Sequence, residues 1–261
     1  SAAERVERFE VDITLQADGS ISVVEEIQYD FGTDQRHGIF RELSTSHNQP
    51  ASAWYKNRSV TYEIISVERN NSPEPFTQTG GSLLNLKVGD ADTKITGLQS
   101  YTLSYVVRGA VSQFDDGSTE LYWNVTGGNW SVPMDNVSIE LRTTADAQLL
   151  SQAVCYRGFG GSQSTCTAIP EGYVTLFAAD DLPAGHQVTI AQAYQSNQQP
   201  VFVESINWIP FVLSTLFLFV VGLAYRVYRW ITYFKPDVPI IAQYEQYRNF
   251  RPMFTGVMFD G

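Results

Sequence analysis

The stretch RFEVDITLQADGSISVVEEIQYDF, residues 8–31, carries the strongest fold signal in the chain. In its first half, apolar residues at positions 9, 11, 13 and 15 alternate with polar ones, which predicts a half-buried strand. Asp18 and Gly19 form a turn signal, and the alternation resumes at Ile21. We therefore predict a β-hairpin with an Asp-Gly turn. One residue interrupts the second strand, because Glu25 takes a position where the pattern calls for an apolar side chain.

Further segments of strand-like composition follow along the chain, separated by clusters of Gly, Pro, Asn and Asp. They cover residues 60–67, 83–88, 101–107, 120–125, 137–141, 174–177 and 188–193. Short strands spaced in this way predict a mainly β protein, an antiparallel β-sandwich. Before residue 200 no segment has a clear helical period, although residues 144–154 leave room for one or two helical turns.

The run from Ile206 to Tyr225 contains no charged residue. At a rise of about 1.5 Å per residue it spans about 30 Å, the thickness of the hydrocarbon core of a bilayer. Trp208 lies near its start, and Arg226 and Arg229 follow its end, so the N-terminal part is predicted to face outward. A buried helix of a soluble core is the alternative interpretation.

These patterns divide the chain into four parts. We predict an extracytoplasmic β-sandwich domain over residues 1–198, a stalk over 199–205, a transmembrane helix over 206–228 and a short cytoplasmic tail over 229–261. The protein would be a single-pass protein of the plasma membrane. Because the chain starts at Ser1, a signal peptide is expected to have been removed.

Charge and composition exclude several classes of function. The net charge of −11 divides into −13 for residues 1–205 and +2 for residues 206–261, so the outward part lacks the basic footprint of a nucleic-acid-binding protein. The chain has three histidines and contains no GxSxG, HExxH or phosphate-binding glycine motif. We therefore expect no enzyme activity, no cofactor, no metal and no nucleic-acid partner.

Two cysteines, Cys155 and Cys166, flank a glycine-rich segment in the outward part. In an oxidising compartment we predict a local disulfide between them. A zinc site is disfavoured, because two cysteines without a nearby histidine do not complete a tetrahedral ligand set.

The stretch HGIFREL, residues 37–43, has two interpretations. In the first, Arg41 and Glu42 act as an acid–base or ligand-anchoring pair with His37 as a proton shuttle. In the second, Ile39, Phe40 and Leu43 pack into the core and Arg41 bridges a neighbouring carboxylate or carbonyl. The second is favoured, because adjacent residues of a strand point to opposite faces.

The stretch ELYWNVTGGNW, residues 120–130, also has two interpretations. It would form a carbohydrate or peptide platform from Trp123 and Trp130, with polar contacts from Asn124 or Asn129. Alternatively, the tryptophans are core residues and Gly127–Gly128 makes a tight turn. The candidate ligand or partner residues of the chain are therefore Arg41, Trp123, Asn124 and Trp130.

Both stretches carry a family resemblance. HGIFREL resembles a motif of the form RGIYRDIP, and residues 120–141 resemble a YWNVTGxxWxVPIxNV segment. These motifs are similar to those of the prokaryotic family of predicted membrane proteins that carry domain of unknown function 2207. The segments at 155–166 and 182–190 agree in order. The resemblance implies an extracytoplasmic β-rich domain on a membrane stem, to which members often add further membrane helices.

The leading hypothesis is a non-enzymatic, membrane-anchored cell-envelope protein whose outward β-sandwich binds a ligand or docks a partner. Its partners would be the lipid bilayer, through residues 206–228, and other membrane or envelope proteins. The alternative is an assembly subunit whose helix packs in a larger complex through small residues such as Ser214, Thr215 and Gly222. A surface hydrolase acting through paired carboxylates is a third hypothesis.

Overall fold

The computed structural model describes residues 4–46, 53–81, 83–114 and 116–233. Most of the predicted tail, from residue 234 onward, lies outside the described residues. The predicted hairpin is confirmed: β1 (Arg5–Leu15) pairs antiparallel with β2 (Ile21–Asp30). Gly19 takes a φ of +79° in the turn, where its amide donates to the carbonyl of Gln16 at 3.0 Å.

An eight-stranded sheet is built around this hairpin. The remaining strands of this sheet are β5 (Thr61–Arg69), β6 (Ser72–Pro73), β9 (Leu98–Arg108), β12 (Met134–Thr143), β14 (Thr167–Glu171) and β15 (Val174–Leu182). Their spatial order is β14-β15-β12-β1-β2-β9-β5-β6. The first hairpin therefore occupies the middle of the sheet, which explains why its inward residues are almost all buried.

Three smaller sheets complete the β-rich part. The four-stranded sheet, ordered β10-β11-β16-β13, comprises β10 (Val111–Gln113), β11 (Thr119–Asn124), β13 (Ala147–Gly158) and β16 (Gln187–Ser196). A three-stranded sheet, ordered β3-β8-β7, comprises β3 (Ile39–Ser44), β7 (Phe76–Thr79) and β8 (Leu83–Val88), and a two-stranded sheet comprises β4 (Lys56–Ser59) and β17 (Val203–Ile206).

The predicted fold class, a mainly β sandwich, is confirmed. Inward side chains of the eight-stranded and four-stranded sheets join one hydrophobic core, in which Tyr105 of β9 meets Trp123 of β11 at a ring distance of 6.5 Å. One pairing departs from the antiparallel expectation, because β1 and β12 run parallel. Long connections such as the one between these two strands are what a parallel pair requires.

The helical turns left open for residues 144–154 are absent, because residues 147–154 belong to β13 and a turn precedes them. The register of β13 against β16 shifts between Leu149 and Ala153, which marks a bulge. Between the buried residues Leu149 and Cys155, the strand has no fully buried side chain. The buried side chain of Gln192 supports the bulge by donating to the carbonyl of Leu150 at 2.7 Å.

The chain divides into two compact units, one up to Asn207 and one from Trp208. The predicted stalk, residues 199–205, belongs to the first unit, since β17 pairs with β4 and Lys56 forms an ion pair with Glu204 at 2.8 Å. The second unit contains α1 (Ile209–Tyr233), the one helix among the described residues that is long and apolar enough to cross a membrane. Its 25 residues span about 37 Å.

Buried phenols in the first unit make its stability sensitive to high pH. Burial raises the pKa of Tyr29, Tyr62 and Tyr194 from 10.0 to about 12. Since the folded state holds these protons more tightly, the resulting stabilisation is complete below pH 10.0 and is lost as the pH rises toward about 12.

We therefore expect the full chain in detergent to lose near-ultraviolet circular dichroism over the same pH interval in which these tyrosines ionise. Tyr194→Phe is the control, because it removes one phenol from the high-pH phase of the tyrosinate absorbance. Ionisation of all tyrosines near pH 10.0, with the dichroism unchanged, would contradict the burial described here.

Candidate functional site

A buried ion pair joins the first hairpin to β3. Arg41 is 1 % exposed and Glu25 is 0 % exposed, although side chains of both types are almost never fully buried unless they have a partner. The guanidinium meets the carboxylate in a bidentate fork, with Nε to Oε2 at 2.8 Å and Nη2 to Oε1 at 2.6 Å. The hydroxyl of Tyr105 donates to Oε1 of Glu25 at 2.5 Å. Glu25 therefore interrupts the apolar pattern because it is the counter-ion of Arg41.

The remaining N–H groups of Arg41 bind backbone carbonyls. Nη1 donates to the carbonyls of Glu42 and Thr126, each at 2.8 Å, and Nη2 donates to the carbonyl of Val125 at 2.6 Å. A guanidinium has five N–H donors, and these contacts together with the carboxylate use all of them. Arg41 thus connects HGIFREL to the turn that follows β11, and so joins the two motifs of the family resemblance.

Arg41 keeps its charge although it is buried. Burial alone would lower the pKa of Arg41, but the attraction of Glu25 and its hydrogen bonds raise the pKa above its ordinary value. Burial, reinforced by the negative charge of Glu25, also raises the pKa of Tyr105 well above 10.0. Neither the guanidinium of Arg41 nor the phenol of Tyr105 is therefore able to act as a proton carrier near neutral pH.

The other residues of HGIFREL separate by face, as a strand requires. Ile39 and Leu43 are buried on the same side as Arg41, whereas Phe40 is 61 % exposed. The expectation that Phe40 packs into the core is wrong, because Arg41 occupies the inward position between the two aliphatic residues. His37 is exposed, and its Nδ1 lies 3.0 Å from the carbonyl oxygen of Thr93.

Glu42 points away from Arg41 and holds two amide side chains. Asn85 donates to its Oε1 at 3.2 Å, and Asn129 donates to its Oε2. Arg41 and Glu42 therefore do not meet through their side chains. The structure does not bring His37, Arg41 and Glu42 together at one point, as an acid–base constellation would require.

The turn after β11 is closed by its own side chains. Oδ1 of Asn124 accepts the amide of Gly127 at 3.0 Å, and Nε1 of Trp130 donates to the carbonyl of Thr126 at 2.8 Å. Gly127 has a φ of +74°, and a Cβ at this position would lie 3.0 Å from Nη1 of Arg41. The turn thus needs glycine both for its backbone angle and for the approach of the guanidinium.

A cleft of about 440 Å³ opens beside these elements. Hydroxyl and amide side chains make up about half of its lining residues, and Glu120 is the one carboxylate among its described residues. The lining comprises Ser44, Ser46, Val60, Ala110, Ser112, Phe114, Glu120, Tyr122, Trp123, Asn124, Gly161, Gln187 and Thr189. Burial raises the pKa of Glu120. No Lys or Arg is among these residues, so the described lining combines apolar, aromatic and uncharged polar groups with one carboxylate.

The candidate ligand residues fall at different depths around this cleft. Arg41, Trp123 and Trp130 are buried, at 1 %, 6 % and 8 % exposure, and of these Trp123 reaches the cleft lining. Asn124 also lines the cleft, where its Nδ2 donates to Oε1 of Gln187 at 2.7 Å. Gly127–Gly128 returns Trp130 to the core, against Phe9 at a ring distance of 5.8 Å.

Sequence reasoning missed Tyr122 and Phe114, which are 42 % and 44 % exposed and line the cleft. The signal for Tyr122 was present in the motif. Since Leu121 and Trp123 take the inward positions of β11, period-two alternation leaves Tyr122 as the outward aromatic residue. No comparable pattern marks Phe114, which follows the short strand β10.

The predicted disulfide is present, with Cys155 and Cys166 bonded at their sulfur atoms. It closes the loop that carries Gly161 to the cleft lining. Phe159 in the same loop is 65 % exposed and contacts the ring of His186 at 4.3 Å. The disulfide therefore restricts one border of the cleft.

A second depression, also of about 440 Å³, lies on the outer face of the eight-stranded sheet. It differs from the cleft in charge, because four carboxylates line it together with apolar residues such as Leu176. The carboxylates are Glu10, Asp12, Glu26 and Glu140. Within the described ranges, no group of three or more His, Cys, Asp or Glu side chains is arranged to hold a metal ion.

The buried pair of Arg41 and Glu25, with the carbonyls that Arg41 binds, is called the clamp below. A β-rich unit that contains this clamp, followed by one helix of membrane-spanning length, defines a membrane protein with a folded N-terminal domain. The chain belongs to the DUF2207 family, since the model described as "Predicted membrane protein (DUF2207) N-terminal domain" matches residues 5–194. The expected family is therefore confirmed. The matched range contains the hairpin, HGIFREL and the turn after β11.

A relative in Escherichia coli (strain K12), "Uncharacterized protein YciQ", is 32 % identical over 133 residues. The match covers 50 % of this chain and 20 % of that protein, so this chain spans a fifth of the relative's length.

Among solved structures, native leukotriene A4 hydrolase from Saccharomyces cerevisiae has a TM-score of 0.45 at 10 % identity, covering 73 % of this chain and 29 % of that one. The M1 zinc metallopeptidase from Deinococcus radiodurans has a TM-score of 0.43 at 11 % identity, covering 74 % and 43 %. Similarity at this level carries no information on activity.

Removal of the guanidinium tests the clamp. We expect Arg41→Ala to lower the free energy of unfolding of the full chain in detergent by about 3–5 kcal/mol, because it leaves the Glu25 carboxylate buried without a counter-ion. Arg108→Ala is the control, since Arg108 is half exposed and pairs with Glu63 at 3.4 Å; its cost should stay within about 1 kcal/mol. An Arg41→Ala protein of unchanged stability that no longer binds its ligand would instead make Arg41 a ligand residue.

A second variant tests the close approach at the turn. We expect Gly127→Ala to destabilise the protein by about 1–3 kcal/mol more than Gly172→Ala. Both glycines have φ near +70°, but a Cβ at Gly172 meets nothing within 4 Å. The difference between the two melting curves therefore reports the close contacts with Nη1 of Arg41 at 3.0 Å and the carbonyl oxygen of Glu42 at 3.1 Å. Equal losses would show that these contacts do not constrain the turn.

Proposed function

We propose that the protein is a non-catalytic binding module of the cell envelope, anchored in the plasma membrane with its β-rich unit outside. The observation that carries the proposal is the cleft beside the turn after β11. A concave site with a few placed polar groups and exposed aromatic side chains is the usual form of a binding site. The disulfide supports an oxidising location, and Arg226 and Arg229 after the apolar run support a cytoplasmic C-terminal side.

The clamp supports this assignment because it fixes two walls of the cleft at once. Arg41 lies in β3, and Ser44 and Ser46 further along that segment line the cleft. The carbonyls that Arg41 binds belong to Val125 and Thr126, directly after the lining residue Asn124. A binding site needs walls that hold their geometry without a ligand, since ordering them on binding would reduce affinity.

The composition of the cleft favours binding over hydrolysis. Glycoside hydrolysis uses two carboxyl groups about 5–9.5 Å apart, one on each side of the scissile bond. Glu120 is the one carboxylate among the described lining residues, and Asp115, next to Phe114, lies outside the described residues. Arg41 and Glu25 are sealed in the core and offer no accessible proton.

The assembly-subunit hypothesis finds less support in α1. The hydroxyls of Ser214 and Thr215 donate to carbonyls of their own helix, at 2.8 Å and 2.9 Å. They therefore do not require a partner helix to satisfy them.

Site-specific photo-crosslinking in native membranes tests the proposal. We expect Tyr122→p-benzoylphenylalanine to form adducts of raised mass at higher yield than the same substitution at Tyr173, which is 77 % exposed but does not line the cleft. p-Benzoylphenylalanine at Leu218 tests whether α1 contacts another protein. Equal yields at 122 and 173 would overturn the binding role of the cleft, and adducts confined to Leu218 would favour the assembly subunit.

A further inference from the structure

We propose that the cleft binds an uncharged, hydroxyl-rich glycan, with Tyr122 and Phe114 as stacking surfaces and Asn124 and Gln187 as hydrogen-bonding groups. This inference rests on the proposed binding function and names the ligand class of that site. The cleft holds about 440 Å³, which suits a short segment of a polymer rather than a folded partner.

The charge of the lining selects against anionic ligands. Recognition of phosphate or carboxylate groups uses Arg and Lys, whose donors match those anions. None of the described lining residues is basic, and Glu120 adds a negative charge at the cleft. An anionic polymer would therefore find no compensating cation among the described lining residues.

The polar side chains instead match neighbouring hydroxyl groups. Asn124 and Gln187 each carry both an amide donor and a carbonyl acceptor, and Ser112 and Thr189 lie in the same lining. A sugar hydroxyl likewise donates and accepts. Asn124 and Gln187 already bind each other, so both amides are fixed before a ligand arrives.

The exposed rings provide the apolar contact that a sugar ring requires. Tyr122 stands outward on β11 and Phe114 follows β10, and both are a little under half exposed. Aromatic side chains contribute large contact areas at a low entropic cost, which makes them the usual anchors of a binding site. Removal of one such ring is expected to weaken binding roughly tenfold or more.

An extended peptide is a less suitable occupant. Peptides that lie against sheets commonly add a strand to a free edge. Two edge strands reach the cleft: β10 has three residues, Val111–Gln113, and β3, which has six, contributes only its last residue, Ser44, to the lining. Neither strand therefore lays a long free edge along the cleft for such a ladder.

The experiment compares the full chain in nanodiscs on an array of immobilised neutral glycans, anionic glycans and extended peptides. We expect binding to neutral glycans that falls roughly tenfold or more in Tyr122→Ala and is retained in Tyr122→Phe, which keeps the ring. Two controls should bind as the unaltered chain does: Tyr173→Ala, which changes an exposed tyrosine elsewhere, and Leu176→Ala, which lies in the second depression.

Binding confined to anionic glycans or to peptides would overturn the glycan assignment, and so would binding to none of the probes. Neutral-glycan binding that Tyr122→Ala leaves intact would also overturn it, by placing the contact elsewhere. These results differ from failure of the binding role itself, because crosslinks from position 122 in native membranes would still form if the cleft held another ligand.

Discussion

The bidentate pair of Arg41 and Glu25 is the interaction on which the rest of the first unit depends. It lies where the first hairpin, β3 and the turn after β11 meet, and each of these elements contributes an atom to it. An ion taken out of water costs several kcal/mol unless attraction and hydrogen bonds offset the loss. Here every N–H of the guanidinium is bonded, so a displaced β3 or turn would leave a buried charge or donor unsatisfied. The pair therefore specifies one arrangement of the three elements.

Much of the fold is readable from the sequence, and the reasons are local. Alternation in residues 8–31 sets both strands of the first hairpin, and Gly19 sets the turn between them. The bulge in β13 could not be found in this way, because it depends on Gln192, a residue of another strand that bonds a carbonyl within it. Phe40 was misplaced for a related reason: the inward position beside it belongs to a charged residue, which apolar patterning assigns to solvent.

The two residues of the clamp could be singled out from the sequence, but their pairing could not. Glu25 stood out as a carboxylate in an apolar position, and Arg41 as a residue suited to bridge a carboxylate or carbonyl. What one sequence does not reveal is that they are partners, because they lie in different strands and the bonds to Val125 and Thr126 cross 84 and 85 residues of chain. The same limit applies to the cleft, whose lining comes from β3, β10, β11 and β16 together.

An apolar replacement of the clamp would not be equivalent, and the backbone shows why. Many buried ion pairs can be exchanged for hydrophobic residues with little loss, because only the two charges need each other. In this protein the guanidinium also satisfies carbonyls of Val125 and Thr126, which lie beyond the end of β11. Aliphatic side chains of similar volume would fill the space but would leave those carbonyls without this donor. Arginine suits this point better than an apolar residue, because it supplies hydrogen-bond donors to the turn beside the cleft as well as a counter-charge to Glu25.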